Sequence, residues 1–286
     1  MIGDSAIRLG LIGDNIAASM APALHEIAGR LCGLSVTYDL LRPVDLGKRV
    51  EDVLRHCQGA GYRGVNITYP YKELVVEHLQ VDDPVVRSMG ACNTVLFEAG
   101  GQPRGCNTDY SGFLAAYRNA FGDMPPGRVA LAGAGGVGRA IGFALAELGA
   151  GELRLFDCDA QKARAVAEAI CARHGVTRVE VCATTAEAAA GADGLVNATP
   201  LGMGGIGGCA FPGELIAGRR WAFDAVYTPV DTPFILAVRA ADLLAMNGYE
   251  LFLCQGIDAF RLFTGREIAE DRLRDALKRA HDRLPV

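Results

Sequence analysis

Lys72 stands four residues after Thr68, at the exit of the apolar run Gly64-Val65-Asn66-Ile67-Thr68. Two further polar groups follow: Asn93-Thr94 after Gly90-Ala91-Cys92, and Asn107-Thr108-Asp109 where a helix is expected to begin. In an open α/β sheet, polar side chains at strand ends converge on the crevice that binds ligand. A lysine and an aspartate at such a mouth can move a proton to or from a carbinol oxygen, because burial and neighbours tune their protonation. Each residue also has an ordinary reading: Lys72 as a solvated helix-start residue, Asp109 as an N-cap, Asn93 and Asn107 as turn formers. What tips the balance toward chemistry is a second motif in the middle of the chain.

That motif is Gly133-Ala134-Gly135-Gly136-Val137-Gly138, with Asp157 nineteen residues after Gly138. It follows the apolar segment Arg128 to Ala132 and opens an Ala- and Leu-rich stretch reaching Leu148. Strand, glycine turn, helix, strand and acid is the order of a dinucleotide-binding βαβ unit. Gly133 permits the turn, Gly135 lets backbone approach a pyrophosphate, and Gly138 lets helix pack on strand. The helix N-terminus, with Gly136 and Val137 in its first turn, offers unpaired N–H groups to phosphate. A carboxylate at 157 suits the ribose diol of NAD and repels the 2′-phosphate of NADP.

The elements that must position these residues read as alternating strands and helices. Strands are expected at 9–12, 35–41 and 64–68, with helices at 22–31, 45–57 and 71–79. Residues 94–98 and a strand near 105 flank Gly100-Gly101 as a hairpin, and a helix capped by Asp109 runs to Phe121. In the second half, strands are expected at 153–156, 179–181, 194–197 and 221–224, with helices at 160–173, 185–190 and 232–240. Near-continuous apolar strands separated by helices indicate a doubly wound parallel sheet covered on both faces. Residues 202–213 read as a mobile glycine-rich loop, and 250–284 as helix broken near Thr264-Gly265.

Half of the 286 residues are hydrophobic, 21% are charged and the net charge is −5. A large buried core follows, and nucleic acid and anionic membranes lack their basic footprint. Nine scattered cysteines without a C-x-x-C pair read as small buried hydrophobes in a reducing compartment. His25, His56, His78, His174 and His281 show no metal-ligand spacing, so no metal is expected. His25 follows the Ser19 loop and could line a site, helix packing being its ordinary reading; Met203 could press on a nicotinamide or pack its loop. Residues 1–4 carry no signal-peptide pattern and no run nears the ~20 apolar residues of a bilayer span, so a cytoplasmic location is expected.

Six segments together carry a family resemblance. Asn66-Ile67-Thr68-Tyr69-Pro70-Tyr71-Lys72, Gly90-Ala91-Cys92-Asn93-Thr94 and Asn107-Thr108-Asp109-Tyr110-Ser111-Gly112 resemble the N-V-T-x-P-x-K, G-A-x-N-T and N-T-D-x-x-G signatures of the shikimate/quinate dehydrogenases. So do Asn197 to Met203, Asp224 to Pro229 and Cys254 to Phe260, the whole running from about 9 to 265. The resemblance implies a two-domain α/β enzyme: a substrate domain of residues 1–115 completed by helices from 250–286, and a Rossmann cofactor domain of 116–249. It implies Lys72 and Asp109 as the catalytic pair. Asn66, Thr68, Asn93 and Gln255 would bind ring hydroxyls, Ser19 the carboxylate, and Tyr227 would lie near the substrate. Gly133, Gly135, Gly136, Val137, Gly138, Asp157, Lys162, Asn197, Thr199, Val226 and Gly248 would line the cofactor, although Lys162 lies in the following helix where solvation is the ordinary reading.

Two departures refine the implied activity. The family's S-x-S-P appears as Ser19-Met20-Ala21-Pro22, so the second hydroxyl is missing. Alanine vacates space beside the acid-bearing carbon, where quinate carries a hydroxyl and shikimate a ring double bond; drift compensated by a neighbour is the alternative. After the second Rossmann strand, Phe156-Asp157-Cys158-Asp159 replaces the basic cluster of NADP users. The expectation is NAD-dependent oxidation of quinate, with shikimate as a second substrate. A modified ring acid such as aminoshikimate, or a non-catalytic sensor of quinate and nucleotide, are the alternatives. Monomer or homodimer, and catabolic or biosynthetic use, stay open.

Overall fold

The structure, a computed structural model, describes residues 6–98, 100–175 and 177–281; the N-terminal residues read for a signal peptide and the last residues of the expected C-terminal helix lie outside them. The chain divides into two compact units, Met1–Thr108 with Leu253–Val286, and Asp109–Phe252.

The first unit begins with β1 (Ile7–Ile12), α1 (Ala21–Leu31), β2 (Val36–Leu41), α2 (Pro43–Leu46), α3 (Val50–Gly59) and β3 (Gly64–Ile67). It continues with α4 (Pro84–Met89), β4 (Thr94–Leu96) and β5 (Arg104–Cys106). The sheet order is β2-β1-β3-β4-β5. β1 pairs in parallel with β2 and β3, whereas β4 runs antiparallel to both β3 and β5. Register aligns Ile12 with Leu41 and Ile67, and Asn66 with Thr94, which in turn faces Cys106. The loops carrying Ser19, Thr68–Lys72, Asn93 and Asn107 therefore leave the sheet at one end.

Three expectations are corrected here. The helix foreseen over 45–57 splits into α2 and α3, because Gly47 takes a left-handed φ of 58° that ends the first segment. The helix foreseen over 71–79 is a run of turns with one 3-10 segment, Val76–His78. The Lys72 carbonyl, which helix would need for an i→i+4 bond, instead accepts the Cys92 N–H at 2.8 Å. The third concerns α5 (Thr108–Phe121), which starts before Asp109 and leaves that residue in the first turn, not at the cap. Asn93 Oδ1 accepts the Thr108 N–H at 2.6 Å, taking over the capping role from a neighbouring strand end.

The second unit contains most of α5, then β6 (Arg128–Ala132), α6 (Gly136–Glu147), β7 (Glu152–Phe156), α7 (Ala160–Arg173), β8 (Arg178–Val181), α8 (Thr185–Ala189) and β9 (Gly194–Asn197). β10 (Trp221–Asp224), α9 (Pro233–Ala240) and β11 (Leu244–Met246) complete its sheet. The order β11-β10-β9-β6-β7-β8 is parallel throughout, with its reversal between β6 and β9. A doubly wound sheet binds its ligand at that reversal, beyond the carboxyl ends of the strands. Side chains on β6, β9 and β10 are almost wholly buried, which explains their apolar sequence up to the terminal Arg128, Asn197 and Asp224. Trp221 is fully buried, donates from Nε1 to Pro126 O at 3.1 Å, and lies so close over Gly194 that a β-carbon there would sit 2.2 Å from the indole.

α10 (Gly248–Thr264) and α11 (Glu270–His281) end the chain, separated at Gly265 with φ 69°. α11 packs on α1 within the first unit. No helix of the described residues is long and apolar enough to cross a membrane.

Candidate active site

The ligand-facing end of the first unit is built on amides and hydroxyls. Asn66 is 7% exposed; its Oδ1 accepts from the Tyr38 hydroxyl at 2.8 Å. Its Nδ2 donates to Thr94 Oγ1 at 3.0 Å and to the Asn93 carbonyl at 3.3 Å. Asn93 Oδ1 accepts from the Thr108 N–H and from the Thr94 hydroxyl at 3.0 Å. Asn93 Nδ2 donates to Thr108 Oγ1 at 3.0 Å, and Thr108 Oγ1 lies 3.5 Å from Gln255 Oε1. Both amide hydrogens of Asn66 are thus engaged within the protein. Among the described residues Asn93 Nδ2 makes a single bond, to Thr108 Oγ1.

Around this network stand the other expected residues. Thr68 is half-buried, with its N–H on Ile12 O at 2.9 Å. Lys72 is half-buried and its backbone is pinned by Cys92. Tyr71 donates to Asp14 Oδ1 at 2.7 Å, and the Asp14 N–H reaches Tyr69 O at 3.1 Å, tying the lysine segment to the loop that leads to Ser19. Burial and the Asp14 contact push the Tyr71 hydroxyl up to about 12, so it is a donor at every working pH. Ser19 Oγ accepts the Ala21 N–H at 3.2 Å at the start of α1, which leaves its hydrogen for a carboxylate. Asp109 is 6% exposed and follows Thr108 directly. Asn107 donates to Ala91 O at 2.9 Å, a structural tether between the two signature loops.

The nucleotide end of the second unit centres on the turn after β6. Gly133 has φ 100°, and a β-carbon on it would lie 2.6 Å from Ala198 O. A β-carbon on Gly138 would lie 2.0 Å from the Gly133 carbonyl oxygen, so turn and helix meet only because neither residue has a side chain. At Gly135, by contrast, nothing lies within 4 Å of that position, and α6 begins at Gly136 and Val137 without a side-chain cap. An open approach to uncapped N–H groups is what a pyrophosphate requires. Asp157, at the end of β7, accepts from Ala134 N at 2.7 Å and Asp159 N at 2.8 Å, so its carboxylate is oriented beside the turn. Lys162 is exposed in the first turn of α7, whose N-terminus Asp159 caps.

Asn197 and Thr199 serve this end by shaping it. Asn197 is fully buried: Oδ1 accepts from Thr199 N and Oγ1, and Nδ2 donates to Leu201 O and Asp224 Oδ1. Asp224, held above the usual carboxylate range by burial, also accepts from Val226 N at 3.0 Å and Thr232 Oγ1 at 2.6 Å. That one carboxyl fixes the loops after β9 and β10. Val226 is buried, Gly248 lies where a β-carbon would be 2.5 Å from Val226 O, and Tyr227 stacks on Phe252 at 5.0 Å. Met203 is half-buried in its glycine-rich loop, which Gly204 ties to Thr228 O at 3.0 Å.

Residues 11–95 match the shikimate dehydrogenase substrate binding domain family. A shikimate dehydrogenase (NADP(+)) of Pseudarthrobacter chlorophenolicus is 38% identical over 93% of this chain and 92% of its own. The chain belongs to the shikimate/quinate dehydrogenase family. A quinate/shikimate dehydrogenase (NAD(+)) of Corynebacterium efficiens is 36% identical over 94% of this chain and 96% of its own. Among solved structures, quinate dehydrogenase from Corynebacterium glutamicum in complex with NAD superposes with a TM-score of 0.88 at 34% identity, over 96% of this chain and 99% of that one. Membership makes the protein a nicotinamide-dependent alcohol oxidoreductase. Relatives carry both NAD(+) and NADP(+) names, so the family leaves the cofactor choice to local residues.

Tyr38 and Asp14 join this hydrogen-bonded network without having stood out in the sequence. Thr94 and Thr108 had a signal, as neighbours of the signature asparagines; Tyr38 sits on a strand where an aromatic is unremarkable.

Proposed function

We propose that the protein oxidises a ring hydroxyl of a polyhydroxylated cyclohexane carboxylate with NAD, quinate to 3-dehydroquinate first and shikimate to 3-dehydroshikimate second. The observation that supports this reading is that the segments carrying Ser19, Thr68, Lys72, Asn93 and Thr108 leave a single sheet at one end. Such a site offers a carboxylate anchor, hydroxyl partners and a proton-moving couple, and it lies on a chain that also has a dinucleotide turn. Ser19 would donate to the ring carboxylate; Thr68, Asn93 and Gln255 would hold hydroxyls. Lys72 and Asp109 would orient the carbinol and take its proton. When bound, the nicotinamide supplies the hydride acceptor. The turn from Gly133 to Gly138 would hold its diphosphate, and Asp157 its ribose diol.

Asp157 supports NAD. Two like charges about 4 Å apart near a protein surface repel by up to about 4 kcal/mol, and a fraction of that disfavours a 2′-phosphate strongly. The expected kcat/KM is about tenfold or more higher with NAD than with NADP, and Asp157→Ser brings the two together. A higher value with NADP in wild-type protein contradicts this assignment.

Ala21 supports quinate. Its methyl packs on the apolar cluster containing Leu11, Ile16 and Tyr38, which leaves room for one more hydroxyl on the acid-bearing carbon. In Ala21→Ser the added hydroxyl takes up space beside the acid-bearing carbon, where only quinate carries a hydroxyl, so the quinate-to-shikimate ratio of kcat/KM is expected to fall by about tenfold. An unchanged ratio removes the support.

A further inference from the structure

The loop that carries Ser19 and the segment that carries Lys72 meet on one residue, Asp14. It stands just beyond β1, after Gly13, whose N–H donates to Leu41 O at the end of β2 at 3.2 Å. Each polar group of Asp14 reaches a different neighbour. The carbonyl oxygen accepts from Arg42 Nε, beyond β2, at 2.7 Å, and Asp45 braces that guanidinium at 2.6 Å. The N–H donates to Tyr69 O, beyond β3, at 3.1 Å. The side chain accepts the Tyr71 hydroxyl on Oδ1 at 2.7 Å. One residue thus joins the exits of three parallel strands, β1, β2 and β3.

Both sides of this junction are firmly seated. Toward Ser19, Ile16 is buried in the cluster of Leu9, Leu11 and Tyr38, the Ser19 N–H donates to Ile16 O at 2.9 Å, and Ser19 Oγ accepts the Ala21 N–H. Toward Lys72, backbone bonds hold Thr68 on Ile12 and Tyr69 on Asp14, and the Tyr71 hydroxyl carries the tie to the residue next to the lysine. The two loops also touch: a β-carbon on Gly13 would lie 2.3 Å from Thr68 Cγ2. The Tyr71 ring packs on the cluster of Ile12, Val65 and Val75. Phenylalanine would fill that apolar seat equally well; reaching Asp14 needs the hydroxyl.

We propose that Tyr71 and Asp14 are positioning residues for ring-acid oxidation: their hydrogen bond fixes the loop of the carboxylate anchor, Ser19, relative to the segment of Lys72. They act through those two residues. The inference rests on the ring-acid reading above, whereas the tie is a property of the protein alone. A ring acid gripped at either place still binds, so loosening the tie leaves KM largely intact. Removal of the carbinol proton needs the ring held at its acid and at its carbinol together, and a misplacement of about 1 Å costs up to ~100-fold in rate. The loss therefore falls on kcat.

Tyr71→Phe is expected to lower kcat on the ring acid about tenfold or more, with KM for the acid and for NAD within about twofold of wild type. Asp14→Ala is expected to match it. Asp14→Asn, whose amide oxygen still accepts the Tyr71 hydrogen, is expected to stay within about threefold of wild type. In a Ser19→Ala background the acid is no longer anchored, so adding Tyr71→Phe is expected to lower kcat/KM by less than about twofold more. A role confined to stability gives additive losses and no rescue by asparagine. Hydrogen exchange followed by mass spectrometry reads the tie without turnover: residues 13–20 and 68–76 are expected to exchange faster in Tyr71→Phe, and the second unit to be unchanged. Wild-type kcat in Tyr71→Phe, additive losses with Ser19→Ala, or unchanged exchange in either segment overturns the proposal. Absence of turnover on ring acids by wild-type protein refutes the substrate reading and leaves the exchange result to judge the tie.

Discussion

Lys72→Met is expected to lower kcat for ring-acid oxidation by about 10²–10⁴-fold, the usual worth of a positioned proton-transfer group. Methionine keeps the unbranched stem, and the segment's backbone is held independently: Cys92 N on the Lys72 carbonyl, Tyr71 on Asp14. What the substitution removes is the ammonium. Asp109→Asn should give a loss of similar size, since the Thr108 N–H remains anchored on Asn93 and the helix start is preserved. If the two act as one couple, the double variant falls little below either single one. Steady-state kcat values for the three variants, with NAD affinity measured alongside as a control for folding, decide the matter. Additive losses would mean that the two residues act separately.

The second large effect is expected at the nucleotide turn. In Gly138→Ala the new β-carbon would lie 2.0 Å from Gly133 O and 2.8 Å from Gly133 C, both backbone atoms that no rotamer change can move. Either the turn or the start of α6 must shift. Overpacking of this kind costs about 1–3 kcal/mol in stability, and displaced N–H groups at the helix start lose their hold on a diphosphate. A loss of about 2 kcal/mol corresponds to some thirtyfold weaker NAD binding. Calorimetric titration with NAD, beside titration with the ring acid, separates the outcomes. Weakened NAD binding with unchanged ring-acid binding is the expected result; unchanged NAD affinity would show that the turn does not cradle the cofactor.

The two halves of the chain differed in how much they disclosed. β9 and β10 are short apolar runs bounded by glycine, acid or proline, and β6, α6 and β7 follow from glycine spacing alone; local signals suffice when an element is buried on both faces. α7 begins at a capping aspartate and ends where expected. The segment after Lys72 deceived because its decisive bond reaches twenty residues onward to Cys92, beyond any local pattern. α4 carried an unread signal, Asp83 capping a helix with Pro84 in its first turn.

Lys72, Asp109, Asn93 and the glycines of the candidate site stand out in the sequence because their types are costly to place without a reason. The carriers of the network do not. His25 reads as a packing residue and it packs, stacked on Tyr38 and flanked by Phe263. Tyr38 serves both core and network. Asn66 stood out as a polar residue on an apolar strand, but its partners could not be read, since the three come from β2, β4 and the turn before β4.

The most direct test is the initial rate of reduced-nicotinamide formation by purified protein given quinate or shikimate with NAD, wild type beside Lys72→Met. Turnover of at least one acid by the wild type, and a rate at least ~100-fold lower in the variant, is the predicted result. Wild-type protein inert toward both acids with NAD and with NADP, or a variant as fast as wild type, would contradict the account.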